Sequence, residues 1–259
     1  MKKSKSVKYI ILIVALLNAT LISNFNIQPT FAQEASRTGA STGLCKSSRR
    51  INGIVTSEKV ISFTFDDGPW PTNTNAVMNS FEKYGWKATF FMVGRNIKAN
   101  PAIAKSVASR GHEVGNHSMT HPTTQSAIAK EVVTTNNVVK SYTGVAPTYF
   151  RAPGGNFGSS YSSPREVAFR NGLCNIWTDS DLGDWRSPRV SSSTLCARFK
   201  SKVRPGSIIL LHDGGSHSQT VNAVPCMLAW AKANGYTVLP LKELLSRGYT
   251  SGYRYNYIY

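Results

Sequence analysis

The amino-acid sequence predicts an α/β fold built on a parallel sheet that curls into a small or incomplete barrel. Short runs of β-branched and aromatic residues alternate with longer helical stretches from about Val60 onward, which is the pattern of repeated strand–helix units. Several of the helical stretches end at a glycine, as helix C-termini commonly do. About seven such units fit into roughly 190 residues, which favours a small barrel over an open sheet.

The elements can be assigned in chain order. The predicted strands are Val60–Phe65, Ala88–Val93, Glu113–Asn116, Thr148–Phe150, Cys174–Thr178, Ser207–Leu211 and Thr237–Leu239. The predicted helices are Thr74–Tyr84, Pro101–Ser109, Gln125–Tyr142, Pro164–Arg170, Ser192–Val203 and Thr220–Ala233. The glycines expected to end helices or the turns after them are Gly85, Gly111, Gly144, Gly172 and Gly235. Residues 33–50 are rich in Ser, Thr, Gly and basic residues, and are expected to form a loosely packed arm.

The first 32 residues are expected to be a cleaved signal peptide. Four lysines precede an apolar run from Tyr9 to about Ile22, and Thr30-Phe31-Ala32 supplies small residues at the two positions that a signal peptidase reads. The run is short for a membrane span, which needs about 20 predominantly apolar residues, although an uncleaved anchor is the alternative. The mature protein would start near Gln33, be secreted or associated with the cell wall, and have no stable membrane span.

The net charge of the chain is strongly positive, at +17. Residues 1–32 hold four lysines and no acidic residue, so the charge after cleavage is +13. A basic surface attracts nucleic acid, membranes or anionic polymers. Because export argues against nucleic acid and the basic residues are not clustered with aromatics, we expect attraction to an anionic cell wall. Solubility alone is the alternative reason for the charge.

Four cysteines follow the predicted cleavage site: Cys45, Cys174, Cys196 and Cys226. An even number of cysteines in an exported chain indicates two disulfides, and three pairings are possible. We favour Cys196–Cys226 because these residues fall on consecutive predicted helices, which leaves Cys45–Cys174.

Ionisable residues follow the ends of five predicted strands. They are Asp66 with Asp67, His117, Arg151, Asp181 with Asp184, and His212. The C-terminal ends of the strands meet at one face of an α/β barrel, where active sites are built. The sequence therefore predicts an active site at this face.

A divalent metal site is the interpretation of two histidines and a carboxylate within this group. His117 and His121 are four residues apart, so they would share one face if the segment formed a helical turn. Together with a strand-end aspartate they offer ligands suited to zinc or another divalent ion. The two histidines outside these motifs, His112 and His217, lie in predicted loops and are assigned no role.

Five segments resemble the ordered motifs of the NodB-homology polysaccharide deacetylases, which form carbohydrate esterase family 4. The segments are Thr64–Gly68, His117–His121, Arg151–Gly155, Asp181–Trp185 and Leu210–His212, and the resemblance covers about Val60 to Leu245. It implies a distorted (β/α)7-8 barrel that forms a single catalytic domain. The domain organisation expected from it is a signal peptide at 1–32, an N-terminal arm at 33–58, a deacetylase domain at 59–248 and an aromatic tail at 249–259.

The resemblance also implies which residues would bind metal and which would supply the base. Asp67, His117 and His121 would hold one divalent ion, zinc or alternatively cobalt. Asp66 would be the general base that activates the attacking water. Arg151 would pair with Asp66 and keep it ionised.

The remaining implied roles concern the leaving group and the acetyl pocket. His212 would be the general acid, and Asp184 would orient it and keep it protonated. The backbone N–H of Gly154 would help the metal to stabilise the oxyanion, and Trp185 and Leu210 would line the pocket for the acetyl methyl, although both also suit an ordinary core. Many family members have a bulky residue, often Tyr, where this chain has Gly154, so the resemblance does not identify the preferred sugar.

The function implied is metal-dependent removal of acetyl groups from a polysaccharide. N-deacetylation of polymers that contain N-acetylglucosamine, such as peptidoglycan or chitin, is the leading hypothesis. O-deacetylation of acetylxylan and a catalytically silent wall-polysaccharide-binding module are the alternatives, and the complete set of motifs argues against the silent module. The polysaccharide is the expected partner, and the protein is expected to be a monomer.

Overall fold

The computed structural model describes Cys45 and residues 47–250. Its strands are β1 (Ile54–Val55), β2 (Val60–Asp66), β3 (Thr89–Met92), β4 (Glu113–Asn116), β5 (Tyr149–Phe150), β6 (Cys174–Asn175), β7 (Ser180–Asp181), β8 (Ile208–His212), β9 (Thr237–Val238) and β10 (Tyr249–Thr250). Its helices are α1 (Asn73–Glu82), α2 (Gly94–Ala99), α3 (Pro101–Ser109), α4 (Gln125–Thr143), α5 (Pro164–Arg170), α6 (Ser192–Lys202), α7 (Ser218–Ala233) and α8 (Leu241–Leu245), with a 3-10 turn at Pro153–Gly155.

Eight of the strands form one parallel sheet. The order across it is β6-β5-β4-β3-β2-β8-β7, and β9 pairs with the first residues of β2. The sheet curls into a partial barrel with helices packed on its outer face, so the predicted fold class is confirmed. Because the strands run in the same direction, their C-terminal ends meet at one rim.

The two faces of β2 show how the sequence pattern separates core from site. Phe63 and Phe65 contact Phe81 of α1, and Phe63 also contacts Phe199 of α6, with ring centroids 5.2 to 5.8 Å apart. These rings are wholly buried between sheet and helices. Side chains alternate between the two faces of a strand, so Asp66 lies on the opposite face, toward the barrel interior.

The interior of the barrel is filled by a large aromatic ring next to a glycine. Phe91 of β3 is fully buried, and a Cβ atom added to Gly115 of β4 would lie 2.6 Å from its ring. Glycine is therefore required at position 115 by the close approach of the neighbouring side chain.

The segment before β2 fills the gap between the two ends of the sheet. Ile51 forms a parallel bridge with Ile176 just after β6, and Gly53 forms an antiparallel bridge with Ser207 just before β8. Ile51 and Ile54 are each only 5% exposed. Ile51 and Ile54 follow the predicted arm of residues 33–50; of that arm the structure describes residues 45 and 47–50, among which Cys45 is bonded to Cys174 and Ser48 is buried with its hydroxyl donating to Glu166.

All seven predicted strands and all six predicted helices are present, with ends that shift by a few residues. The five glycines predicted at helix ends all have positive φ, between 68° and 78°. The short elements α2, α8, β1, β7 and β10 were not predicted. Of the predicted aromatic tail, residues 249 and 250 lie in β10; residues 1–32 and 251–259 lie outside the described range.

Among the described residues, no helix is both long enough and apolar enough to cross a membrane.

Both favoured disulfides are confirmed. Cys45 is bonded to Cys174 at the start of β6, and Cys196 of α6 is bonded to Cys226 of α7. The first disulfide anchors the N-terminal segment to the edge of the sheet. The second joins the two helices that precede and follow β8.

Replacing Cys196 and Cys226 together by serine is expected to lower the free energy of unfolding by about 3 kcal/mol, because the bond closes a loop with a sequence separation of 30. For a domain of this size that loss corresponds to a fall in Tm of about 6–12 °C, measurable by calorimetry. The matched variant has Cys45 and Cys174 replaced by serine, so that it lacks the other disulfide instead. Recovery of four alkylatable thiols from the unreduced wild type would contradict both bonds.

Candidate active site

The register of two neighbouring strands brings two ionisable side chains together at the rim. Asp66 ends β2, His212 ends β8, and the two residues are direct partners in the parallel ladder. Residue 67 and the segments after β4, β5 and β7 emerge at the same rim. The sequence-predicted site residues therefore gather at the C-terminal ends of the strands.

Asp67, His117 and His121 form a compact group of possible metal ligands. One ligand atom from each lies within 4.8 Å of the others. Oδ1 of Asp67 is 3.5 Å from Nε2 of His117 and 3.4 Å from Nε2 of His121. This buried oxygen has no hydrogen-bond partner among the described residues.

The protonation of His117 suits a metal ligand. Its Nδ1 is 2.8 Å from the carbonyl oxygen of Arg151, which accepts the Nδ1 proton and leaves the Nε2 lone pair directed toward Asp67. Burial lowers the pKa of His117 to about 3, so the ring is neutral at physiological pH. A carboxylate oxygen facing an imidazole lone pair is repelled unless a cation lies between them, so the donor set fits a divalent ion.

The two histidines converge without the helical turn that their spacing suggested. The segment from His117 to His121 is not helical, and Ser118 and His121 have φ of 65° and 58°. Asp67 also has a positive φ, of 73°. Such conformations cost about 1–3 kcal/mol each in non-glycine residues and persist only when the surrounding structure imposes them. The helical turn on which the shared face of the two histidines was conditional is absent, yet the two rings lie together, with centroids 5.1 Å apart.

Glu131 of α4 supports the strained segment from His117 to His121, which we call the histidine loop. No local signal in the sequence indicated this role. Its Oε2 accepts hydrogen bonds from the backbone N–H groups of Met119 and Thr120, both at 2.9 Å, and its Oε1 accepts from the Thr120 hydroxyl at 2.6 Å. Asn116 adds a third backbone contact, since its Oδ1 accepts from the N–H of Ser118 at 2.8 Å.

Helix α2 connects the histidine loop to the loop that holds Asp67. The N–H groups of Gly94 and Arg95 donate to the carbonyls of Ser118 and Met119, at 3.0 and 2.8 Å. The side-chain amide of Asn96 donates to the carbonyl of Asp67 at 2.7 Å. This unpredicted six-residue helix therefore sets the distance between the candidate ligands.

Asp66 is paired with a buried arginine. Nη1 of Arg151 donates to Oδ1 of Asp66 at 2.7 Å, and its other nitrogens donate to the carbonyls of Ile176 and Trp177. The guanidinium lies 4.2 Å above the ring of Phe91 and is fully buried. Burial lowers the pKa of Arg151, and the Asp66 carboxylate opposes that change. The second oxygen of Asp66, Oδ2, is 3.7 Å from Nε2 of His117.

His212 is paired with a buried aspartate, so its partner is an acidic residue, whereas the partner of Asp66 is a basic one. Nδ1 of His212 lies 2.8 Å from Oδ1 of Asp184, and the backbone N–H of His212 donates to Oδ2 of the same carboxylate. Oδ2 also accepts from the hydroxyl of Thr220 at 2.7 Å. Burial opposes protonation of His212, but the Asp184 carboxylate outweighs it and raises the pKa of His212 to about 9. Burial likewise opposes ionisation of Asp184, yet the contacts from His212 and Thr220 lower its pKa.

A groove of about 420 Å³ lies beside the candidate metal ligands. Its lining residues are His121, Pro122, Thr123, Pro153, Gly154, Gly155 and Asn156. Gly154 is exposed with φ of 60°, and a Cβ atom added there would meet nothing within 4 Å. The groove is therefore open at Gly154, the position at which many members of the resembled family have a bulky residue.

The two residues predicted to line an acetyl pocket have different surroundings. Trp185 is 54% exposed, and its Nε1 donates to a carboxylate oxygen of Asp181 at 3.2 Å. Leu210 is 3% exposed and lies in β8, two residues before His212 at the end of the strand. Trp185 is thus no core residue, whereas the burial of Leu210 is compatible with either role.

Three further ionisable residues adjoin the site or the core. Asp213 is fully buried beside Thr74 and Gly68, and burial raises its pKa to about 7. The ring of His217 stacks on that of His212, a contact that loop position alone did not reveal. His112 is structural: its buried Nδ1 accepts from the N–H of Ala88 at 3.1 Å, and burial lowers its pKa to about 4.

Comparisons with known proteins identify relatives of this chain. A family model described as polysaccharide deacetylase matches residues 53–172. The chain is 34% identical over 198 residues to a peptidoglycan-N-acetylglucosamine deacetylase of Bacillus cereus, a match that covers 74% of this chain and 91% of the relative.

Two solved structures extend the comparison. A pseudoenzyme of carbohydrate esterase family 4 from Bacillus anthracis has a TM-score of 0.70 and 28% identity, covering 78% of this chain and 71% of that chain. A family 4 acetyl xylan esterase from Clostridium thermocellum, solved with a cobalt ion, has a TM-score of 0.64 and 30% identity, covering 74% of this chain and 98% of that chain.

Glu131→Gln is expected to weaken the affinity for Zn²⁺ about 10–100-fold, the usual effect of losing a group that orients metal ligands. The amide keeps only one accepting oxygen, so it cannot accept both the backbone N–H bonds and the Thr120 hydroxyl bond that Glu131 accepts through its two oxygens. Titration calorimetry with a competing chelator measures the change. Glu243→Gln, on the exposed face of α8, is the matched control and should bind like the wild type. Equal affinity in Glu131→Gln and the wild type would refute the role of Glu131.

Proposed function

Because the chain belongs to the polysaccharide deacetylase family, we propose that it hydrolyses acetyl groups from a polysaccharide, principally by N-deacetylation of polymers that contain N-acetylglucosamine. The observation that supports this most directly is the ladder pairing of Asp66 with His212. Each of the two has its own buried partner of opposite charge, Arg151 for one and Asp184 for the other. A carboxylate paired with a cation and an imidazole paired with an anion thus face one rim, as a general base and a general acid require.

The proposed base is Asp66. Arg151 holds its Oδ1, which leaves Oδ2, on the side of His117, to accept the proton of the attacking water. Asp67, His117 and His121 are proposed to bind the divalent ion, with zinc as the first candidate and cobalt as the second. Such an ion supplies Lewis acidity and lowers the pKa of a bound water toward about 7.

The proposed acid is His212. Asp184 holds its Nδ1, so Nε2 is the nitrogen that donates a proton to the departing amine. The N–H of Gly154 is proposed to donate to the developing oxyanion, an interaction worth about 3–4 kcal/mol when well placed. Trp185 and Leu210 are proposed to contact the acetyl methyl group.

Two similarities to solved structures each support an alternative function. The similarity to the acetyl xylan esterase favours O-deacetylation as a second activity, since the same residues hydrolyse esters. The similarity to a pseudoenzyme favours a silent binding module, against which stands the joint presence of base, acid and candidate ligands.

The proposed setting is outside the cell. We propose secretion or attachment to the cell wall because the chain has a signal-like N-terminus, two disulfides and a relative named for peptidoglycan. The excess of positive charge would draw it to an anionic wall. The protein is proposed to act as a monomer.

Asp66→Asn is expected to lower acetate release from N-acetyl chitooligosaccharides about 10²–10⁴-fold, the usual effect of removing a positioned proton-transfer group. His212→Ala should slow the same amide substrate comparably but slow an aryl acetate much less, because a phenolate leaves without a proton. Acetate assays on both substrates, with Zn²⁺ affinity measured alongside, separate the two roles. Equal slowing of amide and ester by His212→Ala would refute the acid, and full activity of Asp66→Asn would refute the proposed function.

The rate of amide hydrolysis is expected to fall as pH rises through about 9, because His212 acts only when protonated and its pKa is raised to about 9. Asp184→Asn should move this alkaline limb to lower pH, since the carboxylate that stabilises the charged ring is lost. Thr220→Val, which removes one hydrogen bond to Asp184 but no charge, is the matched control. Profiles of kcat/KM against pH measure both shifts; an alkaline limb at the same pH in Asp184→Asn would contradict the assignment.

A further inference from the structure

His217 lies flat against the ring of the proposed general acid. The centroids of the His217 and His212 rings are 5.3 Å apart, and their planes differ by 21°. Offset stacking of this kind restricts how far either ring can tilt. Asp184 holds one edge of the His212 ring, whereas His217 covers one of its faces.

The backbone and the start of α7 hold His217 in place. Its Nδ1 donates to the carbonyl of Gly214 at 2.6 Å, and its own carbonyl accepts from the N–H groups of Thr220 and Val221 at the start of the helix. The same helical turn also fixes Asp184, through the hydroxyl of Thr220 and the amide of Gln219. One turn of helix therefore positions both residues that restrain His212.

The charge on His217 is compatible with stacking on a protonated neighbour. Burial lowers the pKa of His217, and the nearby positive groups His212 and Arg189 act in the same direction. A neutral imidazole placed against an imidazolium avoids like-charge repulsion and presents a π face to the cation.

We propose that His217 is a positioning residue for the general acid: its ring holds His212 at the tilt that directs Nε2 to the leaving amine. This role rests on the proposed function, because it acts through the proton transfer assigned to His212. A ring that only fills space at the start of α7, or one that binds the sugar directly, is the competing explanation.

Three variants distinguish these explanations. His217→Ala removes the stacked ring, His217→Phe keeps a flat ring without nitrogen atoms, and Ser216→Ala alters the same loop as a matched control. His217→Ala is expected to lower kcat on an N-acetyl chitooligosaccharide about tenfold, since small misplacement of a reacting group costs up to about 100-fold. Its KM should change little, and its kcat on an aryl acetate should stay within about twofold of the wild type. His217→Phe and Ser216→Ala should keep both rates within about twofold.

The outcomes separate the proposals. Equal slowing of amide and ester by His217→Ala, or failure of His217→Phe to retain the amide rate, would overturn positioning by the ring. A rise in KM alone would indicate contact with the sugar and would overturn it as well. Calorimetric Tm values check that each variant folds. The Asp66→Asn variant, assayed beside them, tests the proposed function separately, because its loss or retention of activity does not depend on position 217.

Discussion

The buried pair of Arg151 and Asp66 is the interaction on which the geometry of the rim depends. The side chain of Arg151 bonds the end of β2 through Asp66 and the segment after β6 through two carbonyls, while its own carbonyl orients the ring of His117. Arg151 therefore positions the proposed base and one candidate metal ligand relative to each other. Leaving such a buried charge without its partner costs about 3–5 kcal/mol, so the arrangement tolerates little change.

The rim contains a second buried pair in which the roles of the charges are reversed. In the first pair the anion, Asp66, is the proposed reacting group and a cation supports it; in the second the cation, His212, is the proposed reacting group and Asp184 supports it. Both supporting residues, Arg151 and Asp184, are completely buried, whereas the side chain of His212 is 14% exposed. Asp66 is itself 3% exposed, so of these four residues only His212 has a side chain that is more than marginally open to solvent. Because Asp66 and His212 end neighbouring strands, an acidic and a basic side chain, each with a buried partner of opposite charge, lie side by side at the rim.

Much of the fold could be predicted because its signals are local. Strand runs, helix-ending glycines and the placement of ionisable residues after strands are all visible within short windows of sequence. The support of the site is not local: Glu131 is ten residues beyond the His121 loop on a different element, and Thr220 contacts Asp184 from a helix 36 positions away. The convergence of His117 and His121 was predicted from a helical turn, yet it comes from left-handed backbone that no spacing rule indicates. The burial of Ile51 and Ile54 was missed because their backbone partners, such as Ile176 and Gly206, are more than 100 residues away in sequence.

The disulfide between Cys196 and Cys226 constrains the part of the chain that ends at His212. It joins α6 and α7, and the chain between them forms β8 and ends that strand at His212. The first turn of α7 supplies Thr220, and His217 immediately precedes that turn. A covalent link outside the site therefore limits the relative movement of the two elements that surround the proposed acid.

The antiparallel pairing of β1 with β10 places the last two described residues beside a strand near the start of the domain, with Ile54 opposite Thr250 and Val55 opposite Tyr249. The same pairing means that neither end can be shortened alone: cutting back one terminus leaves the other without its hydrogen-bonded neighbour. This fold is therefore poorly suited to gradual trimming at its borders.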